Sequence, residues 1–176
     1  MAAPPYIVLL GDVGAGKSTL VEKLTGETGR SSSSCRSVTL SSDVFEVCDP
    51  DCRSLIICDT PGSNSIENQF RHSLHIAHAL NFRPVTCVLI VVKADTRIEN
   101  VIKGIVEYAQ GCIPDDLSIE LVGVCVTHMD TVTWSTEDFL PHLEQQVGIN
   151  SAVFSSINTT QEELSMALHQ ECDKRE

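Results

Sequence analysis

Residues 11–19 read GDVGAGKST, Gly11 through Thr19, and the fold follows from them. Gly11, Gly14 and Gly16 let the backbone turn so that consecutive N–H groups point inward, forming a nest for an anion. Gly16, Lys17 and Ser18 complete the spacing G-x-x-x-x-G-K-[ST] that starts at Gly11, a phosphate-binding loop when a strand precedes it and a helix follows. Both neighbours are present: Tyr6–Leu10 is a short apolar run, and Lys17–Leu24 carries a helical period. The first turn of that helix adds its dipole to the anion site. The Lys17 ammonium is expected to reach the β- and γ-phosphates, and the Ser18 hydroxyl to ligate Mg²⁺. The expected nucleotide contacts here are Asp12, Val13, Gly14, Ala15, Gly16, Lys17, Ser18 and Thr19. A glycine-rich turn that bound nothing would have no use for Lys-Ser at its end.

Outward from this loop, apolar runs alternate with helical periods to the end of the chain. The pattern predicts strands at Tyr6–Leu10, Val44–Cys48, Leu55–Cys58, Val85–Val92, Ile119–Val126 and Ala152–Phe154. They are short and mostly continuous in their apolar residues, as strands covered on both faces are. Helices are predicted at Lys17–Leu24, Ile66–Leu80, Thr96–Ala109, Thr136–Val147 and Glu162–Cys172. In the second of these Phe70, Leu74 and Ala77 make an i, i+4, i+7 stripe. Before the last, Thr159-Thr160 ahead of Glu162-Glu163 signals an N-cap followed by acids in the first turn. Such alternation implies an α/β fold: three layers, a mostly parallel six-stranded sheet with helices on both faces. With 176 residues, the chain is expected to form a single domain over 1–176. The serine-rich stretch Gly26–Ser41 has no period, and its length predicts a mobile functional loop.

The third strand runs into Asp59-Thr60-Pro61-Gly62. Asp59, at the carboxyl end of a buried strand, is placed to hold Mg²⁺ through water, and Gly62 to offer its N–H to the γ-phosphate. A capping aspartate and a turn would give the same four residues. Between the two motifs, Thr39 is the expected metal-sensing hydroxyl, with Ser37 and Ser41 as alternatives. Its release on loss of the γ-phosphate would loosen the loop. The fifth strand ends in Val-Cys-Val-Thr127-His128-Met129-Asp130. Asp130 can accept from two guanine N–H groups at once, and adenine offers no matching pair of donors. Thr127 and His128 fall in the same base-reading motif, where the imidazole stands in for a lysine stem and can stack on the base. Ser155-Ser156, after the sixth strand, is similar to a loop whose backbone contacts the guanine oxygen.

GDVGAGKST, Ser37-Val38-Thr39, DTPG and Thr127-His128-Met129-Asp130, in that order over nearly the full chain, resemble the septin-related branch of translation-factor-type GTPases. Immunity-associated GTPases share the GxxGAGKS loop and the S-V-T switch. Chloroplast outer-envelope import GTPases share the T-H at the base site. Thr96-Arg97 and the stretch Ala94–Ala109 are similar to a connecting region of the immunity-associated group. The resemblance implies a Ras-like G domain that binds GTP or GDP with Mg²⁺ and, in many members, a homodimer across the nucleotide face. The expected function is therefore a GTP·Mg-dependent switch acting on an effector that the sequence does not name.

Hydrolysis is expected to be slow, because Ser63 stands where Ras-like enzymes place a water-orienting glutamine. Arg36, three residues before Thr39, has the spacing of a cis arginine, and an arginine finger is worth ~10³–10⁵ in rate. A solvated loop arginine is the plainer reading. A scaffold that binds GTP without turnover is the second expectation. An ATP-dependent small-molecule kinase is the third, disfavoured because no arginine-rich lid follows a late strand.

With 12 Lys+Arg against 24 Asp+Glu, the formal net charge is −12. That balance speaks against nucleic acid, whose phosphates need a basic surface, and against anionic lipid. No apolar run approaches the ~20 residues of a membrane span, and no membrane anchor is expected. Cys58, Cys87 and Cys125 sit inside apolar runs and read as small hydrophobes, so reduced thiols in the cytoplasm are expected. Cys48 and Cys52 lack a second pair for a zinc site. His72, His75 and His78 share a helix without an acidic or thiol ligand, which favours a partly solvated face over a metal site.

Overall fold

The computed structural model describes residues 3–27, 42–48, 53–62, 69–112 and 118–175, without the side chains of residues 69–72 and 112. Arg36, Ser37, Thr39, Ser41 and Ser63 lie outside the described residues, as do most of Gly26–Ser41 and of Gly62–Arg71, the two segments expected to switch. Six strands form one sheet: β1 (Tyr6–Leu10), β2 (Asp43–Cys48), β3 (Ser54–Asp59), β4 (Cys87–Lys93), β5 (Val122–Thr127) and β6 (Val153–Phe154). Five helices cover it: α1 (Lys17–Thr25), α2 (Gln69–Asn81), α3 (Ile98–Cys112), α4 (Thr136–Val147) and α5 (Gln161–Asp173). The strand order is β2-β3-β1-β4-β5-β6, parallel throughout except that β2 runs antiparallel to β3.

The two faces of each central strand bury different cores. Tyr6, Val8 and Leu10 of β1 pack with Val88, Ile90, Val124 and Val126 against Ile76 and Ala79 of α2, Ile102 and Ile105 of α3, and Phe139 and Leu143 of α4. Ile7 and Leu9 join Ile57, Leu89 and Cys125 on the other face, against Leu20 and Leu24 of α1 and Leu164, Leu168 and Cys172 of α5. Period two therefore explains why these runs are apolar at every position. β2, at the sheet edge, buries only Val47 fully. From β1 the chain reaches β3 on one side and β4 on the other. The crevice at this switch of direction, beyond the strands' carboxyl ends, is where open α/β sheets bind ligands.

Several boundaries differ from the sequence pattern for local reasons. Ile119–Leu121 is a 3₁₀ turn, because the Ser118 hydroxyl accepts from the Glu120 N–H and strand pairing begins only at Val122↔Val88. The third helix starts at Ile98, not Thr96. Asp95 takes the N–H of Arg97 at 3.0 Å and the Asn100 amide at 2.9 Å, so residues 95–97 form a side-chain-closed turn instead of a first helical turn. The Leu74/Ala77 stripe of α2 is overturned: Leu74 is 55% exposed and Ala77 is exposed, whereas Ile76 and Ala79 face the sheet. The Tyr6 hydroxyl donates to the Ala79 carbonyl at 3.0 Å and fixes this rotation of the helix. The expected N-cap of the last helix is present: Thr160 and Glu163 form a reciprocal capping box.

Candidate functional site

The chain from β1 turns sharply through Gly11, Gly14 and Gly16 before α1. Gly14 and Gly16 have φ of +82° and +98°, a region that glycine enters without steric cost. Packing is as restrictive as the dihedrals. A Cβ on Gly11 would lie 2.3 Å from the Val91 carbonyl oxygen, and one on Gly62 would lie 2.6 Å from the Val13 nitrogen. The DTPG turn is thus seated directly on the phosphate loop, and the buried Thr60 hydroxyl ties it to the Leu9 carbonyl at 2.5 Å. Thr60 escaped the sequence reading, since its role depends on a partner 51 residues away.

Lys17 is only 6% exposed, and its ammonium donates back to the carbonyls of Gly11 at 2.7 Å and Asp12 at 3.0 Å. Both carbonyls belong to the glycine-rich loop, so the ammonium is held against the loop's own backbone. Burial pulls its pKa from the ordinary 10.5 to about 8, against the opposing pull of Asp59 and Asp12. Two pH effects follow. Without ligand, the burial cost is fully present below pH ~8 and is relieved between ~8 and ~10.5, where the folded state releases its proton first. This group therefore makes the free protein more stable as pH rises through that window. Phosphate oxygens placed beside Nζ would restore the charge, so a triphosphate bound there would take up a proton above pH ~8. The dissociation constant should then be flat below pH ~8 and weaken up to about tenfold per pH unit above it. Calorimetry in buffers of different ionisation enthalpy at pH 7 and 9 measures that proton. Equal uptake of zero at both values would refute the assignment.

The Ser18 hydroxyl donates to Asp59 Oδ2 at 2.9 Å. A hydroxyl and a carboxylate in contact, beside a phosphate nest, form the all-oxygen donor set that suits Mg²⁺, a hard cation that otherwise keeps water and phosphate ligands. Among the described residues no group of three His, Cys, Asp or Glu side chains could hold a metal by itself. Within the histidine series, His78 is exposed and lies 6.0 Å from the Phe82 ring.

The ends of β5 and β6 build the second half of the crevice. Thr127 is buried, and its hydroxyl faces the phosphate loop, shared between the carbonyls of Ala15 at 2.7 Å and Val92 at 3.2 Å. With its proton committed there, Thr127 Oγ1 accepts from His128 Nδ1–H at 2.9 Å, which fixes the tautomer. His128 takes a left-handed conformation, φ +58°, that turns the chain out of the strand. Burial, then the Lys93 charge, push its pKa below the ordinary imidazole value, against the opposing pull of Asp130.

Asp130 is exposed, and its Oδ1 accepts the Ile157 N–H at 2.9 Å; this bond is the largest cause of its lowered pKa. The buried Ser155 is stitched in by Ser155 N–H to Val126 O at 2.8 Å and Met129 N–H to Ser155 O at 3.2 Å. Ser156 donates its N–H to Thr159 Oγ1 at 2.9 Å, and its carbonyl accepts from the Lys23 ammonium. The structure thus gathers residues 11–19, Asp59, Gly62, Thr127, His128, Asp130, Ser155 and Ser156 at one end of the sheet. Lys23 and Ile157 join them and were not legible beforehand: each reaches the site through a contact between distant parts of the chain.

Solved structures with this fold include mGMPPNP-bound NFeoB from S. thermophilus, with a TM-score of 0.65 at 16% identity over 97% of this chain. An NFeoB variant from the same organism, bound to GDP·AlF4⁻, gives 0.68 at 16% identity over 97% of this chain. The chain spans 61% and 64% of the lengths of those two chains, and the likeness extends to the fold. No curated protein matches by sequence. The family model described as 50S ribosome-binding GTPase matches residues 6–122, from the first strand through the phosphate loop and DTPG to the start of β5. The chain therefore belongs to that GTPase family.

Proposed function

We propose that this chain binds GTP with Mg²⁺ and acts as a molecular switch with slow intrinsic hydrolysis. The observation that carries this reading is that the glycine-rich loop, the Ser18–Asp59 pair 2.9 Å apart and Asp130 all lie at the carboxyl ends of neighbouring parallel strands. Lys17 and the loop amides would hold the β- and γ-phosphates. Ser18 and Asp59 would hold the metal, with Thr39 joining from its loop. Bound there, Mg²⁺ supplies positive charge against the phosphate oxygens. Asp130 would accept from the guanine N–H pair, with His128 against the base and Ser155 and Ser156 closing the base edge.

Gly62 is seated on Val13, so a change at the γ-phosphate has a direct route into the segment that follows DTPG. Slow turnover follows from Ser63, whose hydroxyl replaces a water-orienting amide. Arg36, a second subunit across the nucleotide face, or an effector protein would then supply the missing group. Among the described residues no helix is long and apolar enough to cross a membrane, and the free thiols of Cys58, Cys87 and Cys125, buried in the strands, support a cytoplasmic location.

Calorimetry of GTP against ATP, each with Mg²⁺, tests the reading. Preference for GTP that vanishes in Asp130→Ala supports it, and equal affinity for the two nucleotides refutes it. The scaffold alternative rests on the same Ser63. Single-turnover phosphate release at low and high protein concentration separates the two, since a scaffold releases none at either.

A further inference from the structure

Purine recognition here depends on a short turn that little side-chain packing holds down. Ile157, at its tip, is 77% exposed, yet its N–H is the group that meets Asp130 Oδ1. Hydrogen bonds must therefore position the turn. Inside it, Thr159 Oγ1 takes the Ser156 N–H at 2.9 Å and Ser156 Oγ takes the Asn158 N–H at 3.2 Å. These close the turn on itself without fixing it to the domain. Ser155 anchors the start of the turn to Val126 and Met129, and α1 holds the rest. The Lys23 ammonium donates to the Ser156 carbonyl, and the Gln161 amide donates to the Leu24 carbonyl at 2.7 Å. Two consecutive residues in the last turn of α1 thus clasp the 156–161 segment at both ends.

We infer that Lys23 is a positioning residue for base recognition: its ammonium holds the Ser156 carbonyl so that the Ile157 N–H stays on Asp130 and the carboxylate stays aimed at the purine. This inference rests on the guanine reading proposed above. A solvated surface lysine is the plain alternative, but Lys23 is half-buried, and its head group is spent on a backbone carbonyl of the very loop that carries the base edge. Its charge adds a small pull at both neighbours, after the Ile157 N–H bond at Asp130 and after burial and Lys93 at His128. The arrangement gives α1 a role at each of its ends, phosphates at Lys17 and base loop at Lys23.

The experiment compares the full chain with Lys23→Met, which keeps the apolar stem, and Lys23→Arg, which keeps the donor. Dissociation constants for Mg·GTP and Mg·ATP are measured for each, with matched thermal melts. Lys23→Met is expected to weaken GTP by about 10-fold, the worth of one charge-assisted hydrogen bond, and to leave ATP within about twofold. Lys23→Arg should recover most of the loss. On an Asp130→Ala background, Lys23→Met should change GTP affinity by less than about twofold, because its route of action is already gone. Full additivity of the two substitutions, or an equal loss for GTP and ATP, overturns the inference. A parent chain without GTP preference overturns the guanine reading itself. A parent preference that survives Lys23→Met intact overturns the role of Lys23 alone.

Discussion

Asp130→Asn is expected to weaken GTP binding by about 10²–10⁴-fold and to turn preference toward xanthosine triphosphate, the combined worth of two charge-assisted hydrogen bonds. In the structure Oδ1 already accepts the Ile157 N–H at 2.9 Å. An asparagine can keep that bond through its carbonyl oxygen, which leaves its amide N–H₂ directed at the base. Guanine then meets donor against donor, whereas xanthine presents a carbonyl oxygen where guanine has its amino group. The exchange is one of complementarity and leaves the loop as built, so ATP affinity should hardly move. A nucleotide panel of GTP, XTP and ATP reads the result by calorimetry. Undiminished GTP binding, or a uniform loss across the panel, would show that Asp130 does not read the purine.

At the other end of the sheet, Glu171→Ala is expected to destabilise the domain by ~3–5 kcal/mol, the range for removing one partner of a buried ion pair. For a chain of this size that corresponds to a fall in Tm of roughly 10 °C. Glu171 is 2% exposed; its Oε1 lies 2.7 Å from Arg175 Nη2 and its Oε2 3.2 Å from Lys174 Nζ. The Ser151 hydroxyl reaches both oxygens at 3.0 Å. Arg175 in turn donates to the Val122 carbonyl at 2.9 Å and to the Glu171 carbonyl at 2.6 Å, pinning the end of α5 beneath β5. Truncating the carboxylate leaves the guanidinium buried beside carbonyls with no counter-charge. Pairing Glu171→Leu with Arg175→Met should recover much of the loss, because desolvated pairs contribute little net energy against packed apolar side chains. Thermal melts of the two variants decide it. Nucleotide affinity at 25 °C should be unaffected in both, as the cluster sits at the opposite end of the strands from the phosphate loop.

The phosphate loop was legible because every interaction it needs lies within nine consecutive residues and the two elements flanking them. Lys17 and Ser18 follow Gly16 directly, and no tertiary information is required to bring them to one anion. The buried strands were legible for a related reason: a strand covered on both faces is apolar along its buried run, as Tyr6–Leu10, Leu55–Cys58, Cys87–Val92 and Val122–Val126 are apart from Gly123, with the polar residues Ser54, Asp59, Lys93 and Thr127 at strand ends. Thr127 shows where that reasoning stops. The pattern puts it in the base-reading motif, but the direction of its hydroxyl, onto Ala15 of the phosphate loop, is set by a contact across 112 residues. The face of α2 was misread because Leu74 and Ala77 are as apolar as Ile76 and Ala79, and periodicity cannot choose between adjacent stripes of similar strength.

By itself, then, the sequence determined the alternation of elements, the glycine-rich loop ending in Lys17-Ser18 and the place of Asp130 after the fifth strand, since each is carried by neighbouring residues. Tertiary structure alone decided what surrounds them: the seating of Gly62 on Val13, the tautomer of His128, and the reach of Lys23 from α1 to Ser156. Those contacts join residues tens to more than a hundred positions apart, or depend on one that does. Their geometry exists only once the sheet has fixed where each strand ends.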